Sequence, residues 1–390
     1  LPLLRVLIGN GGMNMADGTT VAAQLRALPA TDAPLVGVVG LDHSTKAVDD
    51  TVLALAIDGL PTIGASLSED QLADSNPLYY QVSPQNRREA AVAAAFATTL
   101  REGNHPTIDD EVEVFYPNDP NDTYARNLTG DVLSSFGQAG FRTSKIAFAP
   151  SATPPGEIQP GILYPTQNGK NTCGFPGLVY YAGDGVPDFN AFLDGVKKCP
   201  SPPAVLADDD VTRYVADTAA REQNQSMPFW YTSFATAPTN TPQGAASDFY
   251  DGPVGLYALF PHDRGKNEDP SLDGHAALSF DATQIPIAAV LHLRLGNASI
   301  PITPGDVWRE ISSIRGSSPA TKVGPSPNND ALQGVTGLID FGATGSSLHF
   351  PADKQVTILL VQQGEVTGAP FFCGTPNDPR QGKGCPLDRG

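Results

Sequence analysis

Basic residues are scarce: 24 Lys and Arg stand against 42 Asp and Glu, a net charge of −18, and the cations nowhere gather into a run. Such a chain has little with which to neutralise a phosphate backbone, so nucleic acid is excluded as a partner. Long apolar runs are lacking as well. None approaches the roughly 20 residues a membrane helix needs, and Leu1-Pro2-Leu3-Leu4 lacks the charged, apolar and cleavage-site order of a signal peptide. A leader or anchor removed upstream would leave no trace, so that absence does not decide export. Catalytic signatures are missing too: G-x-S-x-G, H-E-x-x-H, the P-loop and G-x-G-x-x-G are absent, and the six His residues keep no ligand spacing. Asp42-His43-Ser44 has the composition of a triad, but triad members converge from separate loops and not from consecutive positions. The expectation is a protein without metal, cofactor or catalytic residue.

Cysteine is sparse but even in number, four in all. Cys173 and Cys199 flank one predicted strand–helix unit, and Cys373 and Cys385 flank a polar Gly/Pro tail. Without a C-x-x-C or a nearby His pair, zinc is a poor explanation; two local disulfides, Cys173–Cys199 and Cys373–Cys385, fit an oxidising compartment.

What the sequence does contain is an alternation of short apolar runs and helical periods. Leu35 to Gly40 is a continuous apolar run of the kind found in doubly covered strands, Thr45 to Ile57 is helical and ends at Gly59, and Leu60 to Ile63 starts another strand. The alternation continues with helix 88–100, strand 111–116, helix 125–139, strand 145–148, strand 177–182, helix 188–198 and strand 204–207. From 223 to 273 it weakens into aromatic and Pro/Gly-rich loops, Phe229-Trp230-Tyr231-Thr232-Ser233 among them, before helices at 274–295 and 304–314. Val335 to Phe341 alternates like a strand, and Val356 to Val361 is read as the last one. Strands alternating with helices predict an α/β chain with parallel sheets, and 390 residues predict two lobes.

Four blocks, in order, resemble the class I substrate-binding proteins of ABC transporters, the branched-chain amino-acid type and its relatives in high-GC Gram-positive bacteria. They are Val38-Val39-Gly40-Leu41-Asp42-His43-Ser44 with Gly59 to Ser68; Tyr79-Tyr80-Gln81-Val82-Ser83-Pro84; Val114 to Asp119 with Tyr124-Ala125-Arg126-Asn127-Leu128; and Val179-Tyr180-Tyr181-Ala182-Gly183 with Phe189 and Phe192-Leu193. The resemblance implies two doubly wound parallel-sheet lobes with a ligand cleft between them. Lobe 1 is expected at 1–106 plus 237–325, lobe 2 at 107–236 plus 326–365, and a disulfide-closed tail at 366–390, with crossings near Pro106, Thr236 and Ser326.

The same resemblance implies the ligand-binding residues. Ser44 would receive a ligand carboxylate, Ser66, Leu67 and Ser68 form the next loop, Tyr124 covers the ligand from the second lobe, Asp184 stands where relatives often carry an aromatic, and Asp209 receives an ammonium. Simpler readings stand beside these: Ser44 as a helix N-cap, Ser66 and Ser68 as turn residues, Tyr124 as packing, and Asp208 to Asp210 as a solvated cap with its inward-facing member undecided. The expected partners are a small ligand and an ABC permease; a sensing domain is the alternative, a hydrolase the weaker one. The family opens with a βα unit ahead of Val38-Val39-Gly40, whereas here only Leu4-Arg5-Val6-Leu7-Ile8 precedes. An unfilled gap in a parallel sheet would strand buried backbone groups, so an upstream peptide is expected to complete lobe 1.

Overall fold

A computed structural model describes residues 35–41, 43–103, 108–150, 177–183, 186–199, 201–234, 274–296, 301–315, 332–343, 346–347, 349–351 and 354–373, short pieces at 166–167 and 170–171, and isolated positions elsewhere. The first sheet is parallel, β1 (Val38–Gly40), β2 (Thr62–Gly64) and β3 (Tyr79–Gln81) in that order. Helix α1 (Lys46–Ile57) joins β1 to β2; Thr45 Oγ1 accepts from Val48 N, and Gly59, at φ +72°, takes the left-handed turn that ends the helix. Helix α2 (Asp70–Ser75) lies between β2 and β3. The expected unit around Leu4 to Ile8 lies outside the described residues.

The second sheet has seven strands: β4 (Glu111–Pro117), β5 (Arg142–Phe148), β6 (Leu178–Tyr181), β7 (Ala204–Ala207), β8 (Phe229–Ser233), β11 (Val356–Gln362) and β12 (Glu365–Cys373), in the order β12-β11-β8-β7-β6-β4-β5. It is parallel from β5 to β8 and antiparallel beyond. Between it and α5 (Val186–Val196) lies an aromatic core of Phe115, Tyr181, Phe189, Phe192, Tyr214 and Phe229, each at most 1% exposed. Most of these rings meet edge-on or tilted, as in Phe189 against Tyr214 at 5.0 Å, while Phe189 and Phe192 stack at 6.1 Å.

Helix α3 (Asn86–Glu102), which the expected division places with lobe 1, packs against α4 (Thr123–Gln138) and β11 of the second sheet. Its buried face is small, with Ala90, Ala93, Ala94 and Ala97 at most 3% exposed, and that lets the helix axes approach. Helix α8 (His275–Gly296) returns to the first sheet, packing on β1, β2 and on α9 (Pro304–Ile311). By length and composition α8 is sufficient to cross a membrane, unlike the expectation of no such run; its buried Asp281 and its packing make it a core helix.

Three elements differ from expectation. Phe229 to Ser233, read as loop, is β8, paired with β7 on one side and β11 on the other; the surrounding Pro and Gly obscured a segment of high β propensity. Val335 to Phe341 is not one strand but part of a hairpin, β9 (Leu332–Gly334) with β10 (Gly337–Ile339). Asp281 holds its turn, accepting from Val335 N at 2.7 Å and Thr336 N at 2.8 Å. Nor is β11 the last strand: the chain reverses at Gln363 and Gly364, φ +57° and +76°, into β12. The crossings expected near Thr236 and Ser326 lie outside the described residues.

Candidate functional site

The C-terminal ends of the parallel strands from both sheets face one another, the position at which open α/β sheets gather their functional loops. The loop after β1 is docked on the turn before α4: Lys46 N donates to Asn121 O at 2.9 Å, Tyr124 N donates to Ser44 O at 3.0 Å, and Thr45 bridges Asp122. Leu41, at φ +65°, takes a left-handed conformation in that loop, a strain of the kind that concentrates at functional turns.

Ser44 is 1% exposed and is not the cap of α1, because Thr45 fills that role; its hydroxyl is buried with no hydrogen-bond partner. Ser68 repeats the pattern after β2. Its carbonyl accepts from Asn86 N at 2.9 Å while its hydroxyl, also buried, bonds to nothing. Leu67 is buried, and its carbonyl accepts from Ser83 Oγ at 2.7 Å, so it braces the loop; Ser66 is partly exposed. Tyr124, at the start of α4, is 3% exposed with an unpartnered hydroxyl. Asp184 lies outside the described residues.

The acidic run after β7 is buried, not solvated. Asp208 is fully buried and its Oδ2 accepts from Gly183 N at 2.7 Å; Asp209 is 4% exposed and its Oδ1 accepts from Phe234 N at 2.9 Å. Asp210 turns to the other lobe, where His43 Nδ1 lies 3.3 Å from its Oδ2, and His43 Nε2 lies 3.9 Å from Asp122. Burial, then the Asp210 and Glu89 charges, push the Asp208 carboxyl well above its ordinary range, whereas the hydrogen bond and charge of His43 overcome burial and hold Asp210 low. The Tyr124 hydroxyl is also driven up, by burial and the facing carboxylates of Asp208, Glu89 and Asp210.

Glu89 was not among the residues read from the sequence. It lies in the first turn of α3, fully buried, and accepts from Asp209 N at 3.0 Å and from the Thr232 hydroxyl, while its Oε2 bonds to nothing. An acid in a first helical turn reads as a favourable helix-end charge, and only the fold carries it into the cleft. Burial and then Asp209 raise it well above a normal glutamate. Beside this cluster, Asp49 is pushed up to about 7 by burial and by Glu69, and Asp70 to about 8 by burial and by Asp131 across the lobes. Among the described residues no group of His, Cys, Asp and Glu is arranged to hold a metal. Cys199 is disulfide-bonded.

No family model and no curated protein matches the sequence. Solved structures do match its fold. The leucine-binding protein LivK of Thermotoga maritima MSB8 is similar at 16% identity and a TM-score of 0.63, over 93% of this chain and 86% of that one. LivJ, a branched-chain amino acid transporter substrate-binding protein of Streptococcus pneumoniae in complex with isoleucine, is similar at 13% identity and 0.62, over 92% and 84%. An ABC transporter solute-binding protein of Rhodopseudomonas palustris HaA2 in complex with p-hydroxybenzoic acid matches at 13% and 0.62, over 92% and 83%. The chain has the α/β fold, with its two parallel-sheet lobes, that these class I periplasmic binding proteins share.

Proposed function

We propose that this chain is a non-catalytic solute-binding receptor that closes its lobes on a small polar ligand, an amino acid or a close derivative, outside the cell. The observation that carries this reading is the set of idle polar atoms in the closed cleft. The hydroxyls of Ser44 and Ser68 from one lobe and Tyr124 from the other are buried with no partner. A buried hydroxyl left unbonded costs about 1–3 kcal/mol, a cost that a bound ligand removes. Ser44 and Ser68 take the ligand carboxylate, Ser66 and Leu67 shape that loop, Tyr124 covers the ligand, Asp184 contributes from the position where relatives often carry an aromatic, and Asp209 takes the ammonium.

In this reading the receptor serves an ABC permease at a Gram-positive cell surface, with Cys173–Cys199 and Cys373–Cys385 as disulfides. A sensing domain would use the same cleft, and a neighbouring kinase gene in place of a permease gene favours it.

Calorimetry against an amino-acid panel tests the ligand roles. Asp209→Asn keeps an acceptor for Phe234 N and removes the charge, so binding should weaken by about 3–5 kcal/mol, against about 1 kcal/mol for Ser68→Ala. Equal losses, or wild-type binding of sugars alone, would remove the ammonium role.

A further inference from the structure

Two carboxyl groups in the cleft each use only one oxygen. Glu89 Oε1 satisfies Asp209 N and Thr232, and Asp208 Oδ2 satisfies Gly183 N; Glu89 Oε2 and Asp208 Oδ1 are buried and bonded to nothing. An amide would serve either structural role equally well, so the second oxygen needs another explanation. The idle Tyr124 hydroxyl faces both acids, and Tyr180, also fully buried, stands within reach of Glu89.

The balance of charge points the same way. Asp210 has His43, His275 and Arg213 acting on it to favour its carboxylate. The charges acting most strongly on Glu89 and Asp208 are those of other carboxylates. A neutral zwitterion brings one ammonium, which Asp209 engages, and none for this pair. A carboxyl stripped of water is stable only when protonated or paired with a cation.

We propose that Glu89 and Asp208 form a second cation subsite, so that the ligand is a small molecule with two cationic nitrogen groups, a basic amino acid or a diamine, and not a neutral amino acid or an aromatic acid. This rests on the receptor reading above. In the empty cleft burial keeps Glu89 and Asp208 protonated; the arriving cation exchanges for a proton, which leaves to solvent, so atoms and charge balance.

The test is calorimetry with L-lysine, L-arginine and putrescine against L-leucine and benzoate, in phosphate and in Tris, whose ionisation enthalpies differ. The expected result is a cationic ligand bound at least about tenfold more tightly than leucine or benzoate, with proton release read from the buffer difference. Glu89→Gln should reduce that affinity about tenfold or more and diminish the proton release while leaving the melting temperature near wild type. Asp208→Asn, which keeps an acceptor for Gly183 N, gives the same readout if the first variant fails to fold. Leucine or benzoate binding more tightly than every cation, or cation affinity unchanged in both variants, overturns the second subsite and leaves the receptor reading standing. Failure of every compound to bind overturns the second subsite and the ammonium role of Asp209 together, and failure of sugars as well overturns the receptor reading.

Discussion

Asp281→Ala should destabilise the protein more than any single change in the cleft. Asp281 is fully buried on α8, accepts from Val335 N, Thr336 N and the Thr336 hydroxyl, and shares that hydroxyl with the buried ammonium of Lys354. Even the glycine before the turn follows from it, because a Cβ at Gly334 would collide with the carboxylate. Burial pulls Lys354 down to about 8, with Asp281 opposing. Three hydrogen bonds to a charged acceptor are worth about 1.5–3 kcal/mol each in isolation, but they are not additive, and removing one partner of a buried pair costs about 3–5 kcal/mol. A loss of that size lowers the melting temperature by on the order of 10 °C. Thermal and urea unfolding of Asp281→Ala, Lys354→Met and the double variant check it. The double variant should recover part of the loss, since no lone charge remains while Val335 N and Thr336 N still lack their acceptor. A loss below about 1 kcal/mol for Asp281→Ala would refute the reasoning.

Stability of the ligand-free protein should fall as pH rises from 5 to 8. Asp49 and Asp70, lifted to about 7 and about 8, hold protons in the folded state that the unfolded chain has released, so folding is favoured below those values and the advantage is lost on passing through them. Asp281, Glu89 and Asp208 are shifted in the same direction. Asp70→Asn should flatten the profile of melting temperature against pH, and a wild-type melting temperature that climbs from pH 5 to 8 would contradict the shifts. Non-reducing peptide mapping should recover Cys173 joined to Cys199 and Cys373 to Cys385; a crossed pairing would break the local-loop argument. Reducing either bridge should cost about 2–4 kcal/mol, read as a lower urea midpoint.

The alternation of elements was legible in the sequence because buried parallel strands are continuous apolar runs and helices keep their period. Runs such as Val114-Phe115 and Val179-Tyr180-Tyr181 fall on β4 and β6, buried as a doubly covered sheet requires. What local pattern could not show is pairing over distance. Phe229 to Ser233 becomes a strand because β7 and β11 flank it, and β12 follows β11 because Gln363 and Gly364 accept positive φ. In the site, Ser44 meets the start of α4 through Tyr124 N, and Asp209 meets the first turn of α3 through Glu89. The assignment of Thr45 rather than Ser44 as the cap, and the choice of inward-facing acid, depend on backbone geometry that no residue type encodes. Glu89 was hidden for a related reason: it is 120 residues from the Asp209 amide it accepts from, and only the packing of α3 on the second sheet joins them.

The most direct test of the account is a crystal structure of the protein grown with the tightest-binding member of the panel. The expected result is density for one small molecule between the lobes, its carboxylate or other acceptor on the hydroxyls of Ser44 and Ser68, Tyr124 over it, and its nitrogen on the carboxylate of Asp209. Density bound elsewhere, with the Ser44, Ser68 and Tyr124 hydroxyls still unpaired in a closed cleft, would contradict it.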